Sequence, residues 1–527
     1  MGTGHPCRWD IHRPDDAAPV RRRMMNSRRG APSHPGGHFQ GFSEGAPLEV
    51  PNSSSVQAAI VARFAEGSFE AFATTAAGVN YCHHPIRLVG SSTTYSRVTG
   101  AAMASFSSSE LPFGVLYRPC GNRRADVCPP CSRVYARDTF ELIRAGLLGG
   151  KGVSATVRER PLLFVTLTAP SFGLVHSAKT SGKRCRPRDK SEICPHGRRL
   201  DCLAIHTDDD AINGAPLCPQ CYDWVGAMVW QCWSSSELFR RTGQNIAREL
   251  ARRLGVTQTA FRQVATVQYV KVAEYQHRGL IHFHAMIRLD GRAGPGSTPA
   301  VDVDSTTLAS AVAAAARRTT FLAPPVDDRD HERTLGWGEQ IDVREVHTAR
   351  RPDDLSKALS AEQVAGYIAK YATKDATGIR RPNGQPRAHL MRLEQVALAI
   401  ARRSARSTEP VPEYVRLSKW AHMLGFPGHF SSKSRRYSVT LGTLRRARYR
   451  FQVARAEAER RGELLDLERL EQQLLDDSEE TTLVVGSWAY QGTGWNNPGD
   501  AALAVAAAAR AQEYAQWRSK GRRVAQP

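Results

Sequence analysis

Two histidines interrupt an apolar run in "EYQHRGLIHFHAMIRL" (residues 274–289). Strand alternation puts His282 and His284 on one face and Ile281, Phe283 and Ala285 on the other. A core face would carry Val or Ile there, and a solvated face Thr, Lys or Glu, so the paired imidazoles are candidate cation ligands. A His-Arg-Gly turn separates this strand from a preceding one, and the two read as a hairpin. With the turn centred on Arg278, Glu274 stands opposite His282 on the same face. Gln276 shares that face, and a one-residue slip would undo the pairing. Two imidazoles plus one carboxylate or amide suit Mg²⁺ or Mn²⁺ and leave positions for phosphate oxygens.

A second set of groups lies on a helix expected to start near Ser360, an N-cap candidate with Gln363 in the capping-box position. Tyr367, Lys370, Tyr371 and Lys374 recur at i, i+3, i+4 and i+7, which is one helix face. Apolar packing would account for the rings alone. Beside the histidine strand the stripe acquires a chemical reading. A phenol with a pKa of about 10 is a poor nucleophile. A divalent ion that polarises a phosphodiester, with lysines that favour phenolate, makes its attack feasible.

These groups belong to a chain of 527 residues, enough for two to four domains and an ample core. It carries 72 Lys and Arg against 51 Asp and Glu, a net charge of +21, which favours a polyanionic partner. No run of apolar residues is long enough to span a bilayer, and Arg21, Arg22 and Arg23 precede no apolar signal segment. The expected location is the cytoplasm, with no membrane partner. Eleven cysteines in that compartment argue for metal rather than disulfides.

The cysteines cluster in two modules. Cys82, Cys120, Cys128 and Cys131 can close a tetrahedral structural zinc site, Cys82 being the distant member. Cys194, Cys202, Cys218 and Cys221 make the simplest second site, with Cys185 and His196 as substitutes. Two structural Zn²⁺ ions are therefore expected.

The chain divides into a disordered basic tail (1–75), a zinc module (76–159), a central domain (160–450) with a cysteine-rich insertion (179–225), and a helical C-terminal region (451–527). Met24 and Met25 offer an alternative start within the tail. "RPLLFVTLTAP" (160–170) and "WGEQIDVREV" (337–346) read as strands of the central domain, whose fold class is α+β. Within 429–451, Lys433, Arg435, Arg436, Arg445 and Arg446 are interleaved with Tyr437, and Tyr449 follows, a pattern suited to phosphate contacts and base stacking. Leu467, Leu470 and Leu474 in the C-terminal region read as packing rather than a zipper. "GLLGGKG" (146–152) lacks the first Gly and the final Ser or Thr of a phosphate loop, so no nucleotide site is expected.

"RGLIHFHA" resembles the His-hydrophobic-His motif of HUH endonucleases, "YIAKYATKD" their tyrosine motif, and "LLFVTLTAP" the first motif of that superfamily. Through these, "GHFSSKSRRYSVTLG" and the two cysteine modules, residues from about 78 to about 520 are similar to replication initiators of actinobacterial plasmids and integrative elements. The resemblance implies an HUH palm with a central antiparallel sheet and flanking helices. It implies rolling-circle nicking, with His282, His284 and Glu274 (or Gln276) as ligands of a catalytic Mg²⁺ or Mn²⁺. Glu274 is preferred because a carboxylate binds a hard cation better. Tyr371 is then the initiating nucleophile and Tyr367 its partner at termination; a Glu often stands at the latter position in related initiators. Origin DNA, a host helicase and a DNA polymerase are the implied partners. A transposase or relaxase of the same superfamily, and a zinc-dependent DNA-binding regulator without catalysis, are the alternatives.

Overall fold

The computed structural model describes residues 54–179, 182–188, 190, 192–346, 361–372, 387–465 and 482–524. Helices α1 (Ser54–Ala65) and α2 (Phe69–Gly78) precede strands β1 (Ile86–Ser96), β2 (Ala102–Ser107) and β3 (Leu116–Arg118). Helix α3 (Pro129–Leu148) and strand β4 (Leu163–Thr168) follow, then α4 (Trp224–Trp233), α5 (Phe239–Arg253) and α6 (Gln258–Val264). The hairpin β5 (Thr266–Tyr275) and β6 (Ile281–Asp290) leads to α7 (Ser305–Arg318), β7 (Thr320–Ala323), β8 (Arg333–Gly336) and β9 (Ile341–Glu345). The chain continues with α8 (Ala361–Ala372), α9 (Ala388–Ser404), β10 (Ser431–Lys433), α10 (Leu441–Arg461), β11 (Thr482–Thr493) and α11 (Pro498–Val524). The class is α+β with antiparallel sheets.

The central sheet has the order β10-β5-β6-β4-β9, every pairing antiparallel. Alternation along β6 gives it two unlike faces. Ile281, Phe283, Ala285, Ile287 and Leu289 join the larger core with residues of α4, α5, α7 and α9. Met286, with Val270 and Val272 of β5, joins a smaller core that includes Ile143 and Leu147 of α3 and Val364, Ala365 and Ile368 of α8. His282 and His284 stand on this second face. Local signals fix the helices around the sheet: the carboxylates of Asp223 and Asp304 accept N–H bonds at the starts of α4 and α7.

The first and last parts of the described chain form one sheet, β11-β1-β2 with β3 also on β1. Two expectations change here. Helix starts at Ser54, inside the stretch read as a tail, because "SSVQAAIVARFA" buries Val56 and Arg63 pairs with Asp500 at 2.6 Å. The C-terminal region is not wholly helical, because the β-branched and aromatic "TLVVGSWAYQGT" pairs along the length of β1. Met24, Met25, Ser360, Leu467, Leu470 and Leu474 lie outside the described residues. The basic stretch 429–451 is strand at 431–433 and becomes helix α10 from Leu441.

One cation lies wholly inside the larger core. Lys271 Nζ reaches the carbonyl (3.2 Å) and hydroxyl (3.1 Å) of Ser235, on the π-helical turn between α4 and α5. The rings of Phe239 and Phe283 flank it at 4.0 and 4.5 Å. Burial pushes its pKa down to about 7. Such a lysine binds fewer protons folded than unfolded, so it costs stability below that value and the cost fades as pH rises toward the unfolded pKa. Lys271→Met should therefore gain most over the wild type near or below neutral pH. Denaturant melts should show that gain shrinking, by something on the order of 3 kcal/mol, between about pH 7 and about pH 10. A pH-independent difference would mean that Lys271 is charged throughout.

Candidate active site

The hairpin register sets the site. Glu274 pairs with His282, and His284 lies two residues further along β6 on the same face. Glu274 Oε2 is 3.1 Å from His282 Nε2 and 3.3 Å from His284 Nε2. Two donors about 2.1 Å from one cation and at right angles lie about 3.0 Å apart, so the spacing fits ligands of a single Mg²⁺-sized ion. Burial raises the Glu274 pKa, but the hydrogen bonds and charges of the two imidazoles outweigh it and hold the carboxyl down at about 2. Burial lowers the His284 pKa. The carboxylate is therefore ionised, as a ligand of a hard divalent ion must be. Gln276, the alternative third donor, is turned instead to the Arg278 guanidinium at 2.9 Å.

Strand β4 supplies residues that the sequence reading left without roles. Thr166 pairs with His284 and Thr168 with His282. The Thr166 hydroxyl lies 3.1 Å from His284 Nδ1. Were a cation to replace the Nε2 proton, Nδ1–H donating to this hydroxyl would hold the ring with Nε2 toward Glu274. Phe164 stacks on the His284 ring at 5.3 Å and 13°. The alternation Phe164–Thr166–Thr168 was visible; that it faces the histidines is a matter of strand order.

Helix α8 brings the phenol. Val364, Ala365 and Ile368 anchor it in the smaller core, and Tyr367 stands 39% exposed with its hydroxyl 3.3 Å from His284 Nε2. Tyr371 is in the same helix one turn on, but its side chain and that of Lys370 lie outside the described residues, as does Lys374.

The cysteine modules group differently from expectation in one respect. Cys82, Cys120, Cys128 and Cys131 converge, with Cys128 at the N-cap of α3 and the Cys82 sulfur 3.5 Å from that of Cys131. Cys194, Cys218 and Cys221 also converge, but their fourth member is His196, whose Nδ1 is 3.2 Å from Cys221 Sγ. Cys202 is not with them. It pairs in an antiparallel bridge with Arg186, which carries it to Cys185, His176 and His206.

The basic stretch is also only partly as read. Tyr437 cannot stack on a base: it is fully buried beneath the Arg288 guanidinium, against Gly146. Lys433 donates to the carbonyls of Ser434, Arg435 and Ser438, which ties it to a turn. Arg436 donates to the Arg292 carbonyl at 2.5 Å. Arg435, Arg445, Arg446 and Tyr449 are exposed, the last three on α10.

The family model described as "Replication initiator protein, pSAM2" matches residues 68–509. A replication initiator protein of Streptomyces ambofaciens is 39% identical over 449 residues, covering 83% of this chain and 88% of the relative. No solved structure matches.

Manganese titration should test the donor set directly. Glu274→Ala and His282→Ala should remove tight binding, and Thr166→Val should weaken it about 10- to 100-fold by freeing the His284 ring. Unchanged affinity in Thr166→Val would remove that hydroxyl from the site.

Proposed function

This chain belongs to the pSAM2 family of replication initiator proteins, and we propose that it starts rolling-circle replication by nicking one origin strand through a tyrosine. The supporting observation is the meeting of Glu274, His282 and His284 with the Tyr367 hydroxyl on one face of an antiparallel sheet. That sheet serves as the palm of an HUH endonuclease. A Mg²⁺ or Mn²⁺ held by the three side chains would supply Lewis-acid polarisation of the scissile phosphate. The phenolic oxygen bonds to phosphorus as the P–O3′ bond breaks, and the 3′ oxygen leaves as a hydroxyl that primes synthesis. The 5′ phosphate stays on the tyrosine, so the later rejoining needs no ATP.

Tyr371 starts the cycle on this reading and Tyr367 ends it, with Lys370 and Lys374 favouring phenolate. The reverse order has one observation in its favour, the position of the Tyr367 hydroxyl. The exposed Arg435, Arg445 and Arg446 would hold the DNA backbone, and unwinding and synthesis would fall to a host helicase and polymerase.

A nicking assay on supercoiled plasmid carrying the DNA that flanks this gene, scored for SDS-resistant adducts, separates the readings. A metal-dependent adduct that falls to background in Tyr371→Phe, with DNA binding kept, is expected. Loss in Tyr367→Phe alone would exchange the two tyrosines. Tight binding with no adduct from any variant would leave a DNA-binding regulator. Arg445→Ala and Arg446→Ala should each weaken binding about equally across sequences and reduce the salt slope by about 1. A sequence-dependent loss would instead assign them to bases.

A further inference from the structure

We propose that this chain carries a third structural zinc ion, held by His176, Cys185, Cys202 and His206, which clamps the cysteine-rich insertion onto the turn that leaves β5. The four ligand atoms lie within 4.8 Å of one another. Two thiolates and two imidazoles in a closed set are a zinc composition. Paired N–H···O bonds between Arg186 and Cys202, at 2.8 and 3.0 Å, bring the strand of Cys202 beside Cys185.

The surroundings are those of ligands. Asp210 Oδ2 is 2.8 Å from His206 Nδ1, which turns His206 Nε2 toward the Cys202 sulfur at 3.5 Å. A carboxylate behind an imidazole is the usual support of a zinc-bound histidine. The Ser177 N–H donates to the Cys185 sulfur at 3.2 Å, which suits a thiolate. His176 Nδ1 is buried and has no hydrogen-bond partner among the described residues. A buried imidazole nitrogen without a partner is costly unless it binds something.

The same residues lead to the active-site hairpin. The His176 backbone pairs with Gly214 and Ala215 at 2.9 and 2.8 Å. Gly214, at φ +86°, lies against the backbone of His277, where a Cβ would come within 2.2 Å of the His277 carbonyl. His277 belongs to the turn closed by Gln276 N–H on Leu280 O and Gly279 N–H on Gln276 O, which begins two residues after Glu274. Arg387 and His389 reach the same His277 from α9 and its N-terminal edge, at 2.8 and 2.9 Å. A metal at this corner thus fixes one flank of the Glu274 strand. The inference does not depend on the nicking reaction.

Zinc counting on the full chain tests it. With Cys202 and Cys218 on different ions, the wild type should hold three zinc ions, Cys202→Ser two, Cys218→Ser two and the double variant one. Two ions in the wild type, with both single variants and the double variant losing the same one, would overturn it. X-ray absorption on the wild type guards against variants that fail to fold. Nine cysteines and three histidines shared by three ions average three sulfurs and one nitrogen per zinc, whereas two Cys₄ sites give an all-sulfur shell. A Cys185–Cys202 disulfide in the purified protein would also overturn it. For the clamp itself, hydrogen exchange in the 276–280 turn should quicken about tenfold in Cys202→Ser and not in Cys218→Ser. Equal exchange in both would reject the clamp.

Discussion

The pairing register of β5 and β6 is the constraint on which the site depends. Glu274, His282 and His284 form a donor set only because Glu274 stands opposite His282. A slip of one residue would send the carboxylate to the other face. The register is held at the turn. Gly279, at φ +81°, packs against Leu390 and Leu393, where a side chain would collide. Arg278 donates to the carbonyls of Ala169 and Pro170, and the buried Gln231 amide bonds both Gly279 O and Ile281 N–H. The far end is pinned as firmly: Arg288 forks onto Asp290 and donates to the carbonyls of Gly146 and Tyr437. Both ends of the hairpin are thus tied to other elements through buried, charge-assisted bonds.

That rigidity allows the two faces of the sheet to do different work. One is sealed by α4, α5, α7 and α9, and the lysine inside it, Lys271, has its pKa pushed down to about 7 by burial. The other packs against α3, α8 and the start of α10. Helix α8 uses Val364, Ala365 and Ile368 to hold itself to α3 and β5, and the same 3.6-residue period that buries them leaves Tyr367 over His284. The carboxylate–imidazole set and the Tyr367 phenol therefore come from separate elements, the hairpin and α8.

What could be read from the sequence follows this division between local and distant causes. The imidazole pair, the opposed carboxylate and the place of Tyr367 on its helix rest on periods of 2 and 3.6, so they were legible. The support given by Thr166 was not, since it depends on β4 lying next to β6 in the sheet. Tyr437 looked like a stacking residue because it stands among arginines. It is instead the ring beneath Arg288, placed by a contact across 149 residues. Strand β11 was hidden for the same reason, since its partner β1 lies at the other end of the chain. Trp495, just beyond β11, donates to the Cys82 carbonyl at 3.0 Å and packs on Tyr117, so the first cysteine site and the C-terminal segment support each other.

The misgrouping of Cys202 has a further physical root. Between Thr168 and Trp224 the described chain has no α-helix or named strand, only isolated bridges such as Val175 to Pro216 and Ile193 to Arg199. Ile193, Leu203 and Ile205 are exposed, so little apolar burial orders this segment. A stretch without a core must draw its order from something else, and ligand sets that interlock in sequence can supply it, since metal binding free energy is then folding free energy. Interlocking also defeats reading by proximity: Cys194 and His196 fall between Cys185 and Cys202 in the chain, yet belong to another cluster. The sheet keeps its register through buried arginines and amides, while under the proposed third zinc site the flank beside Glu274 would be held by chelation. Order beside Glu274 would then follow metal occupancy, whereas the register of the sheet would not.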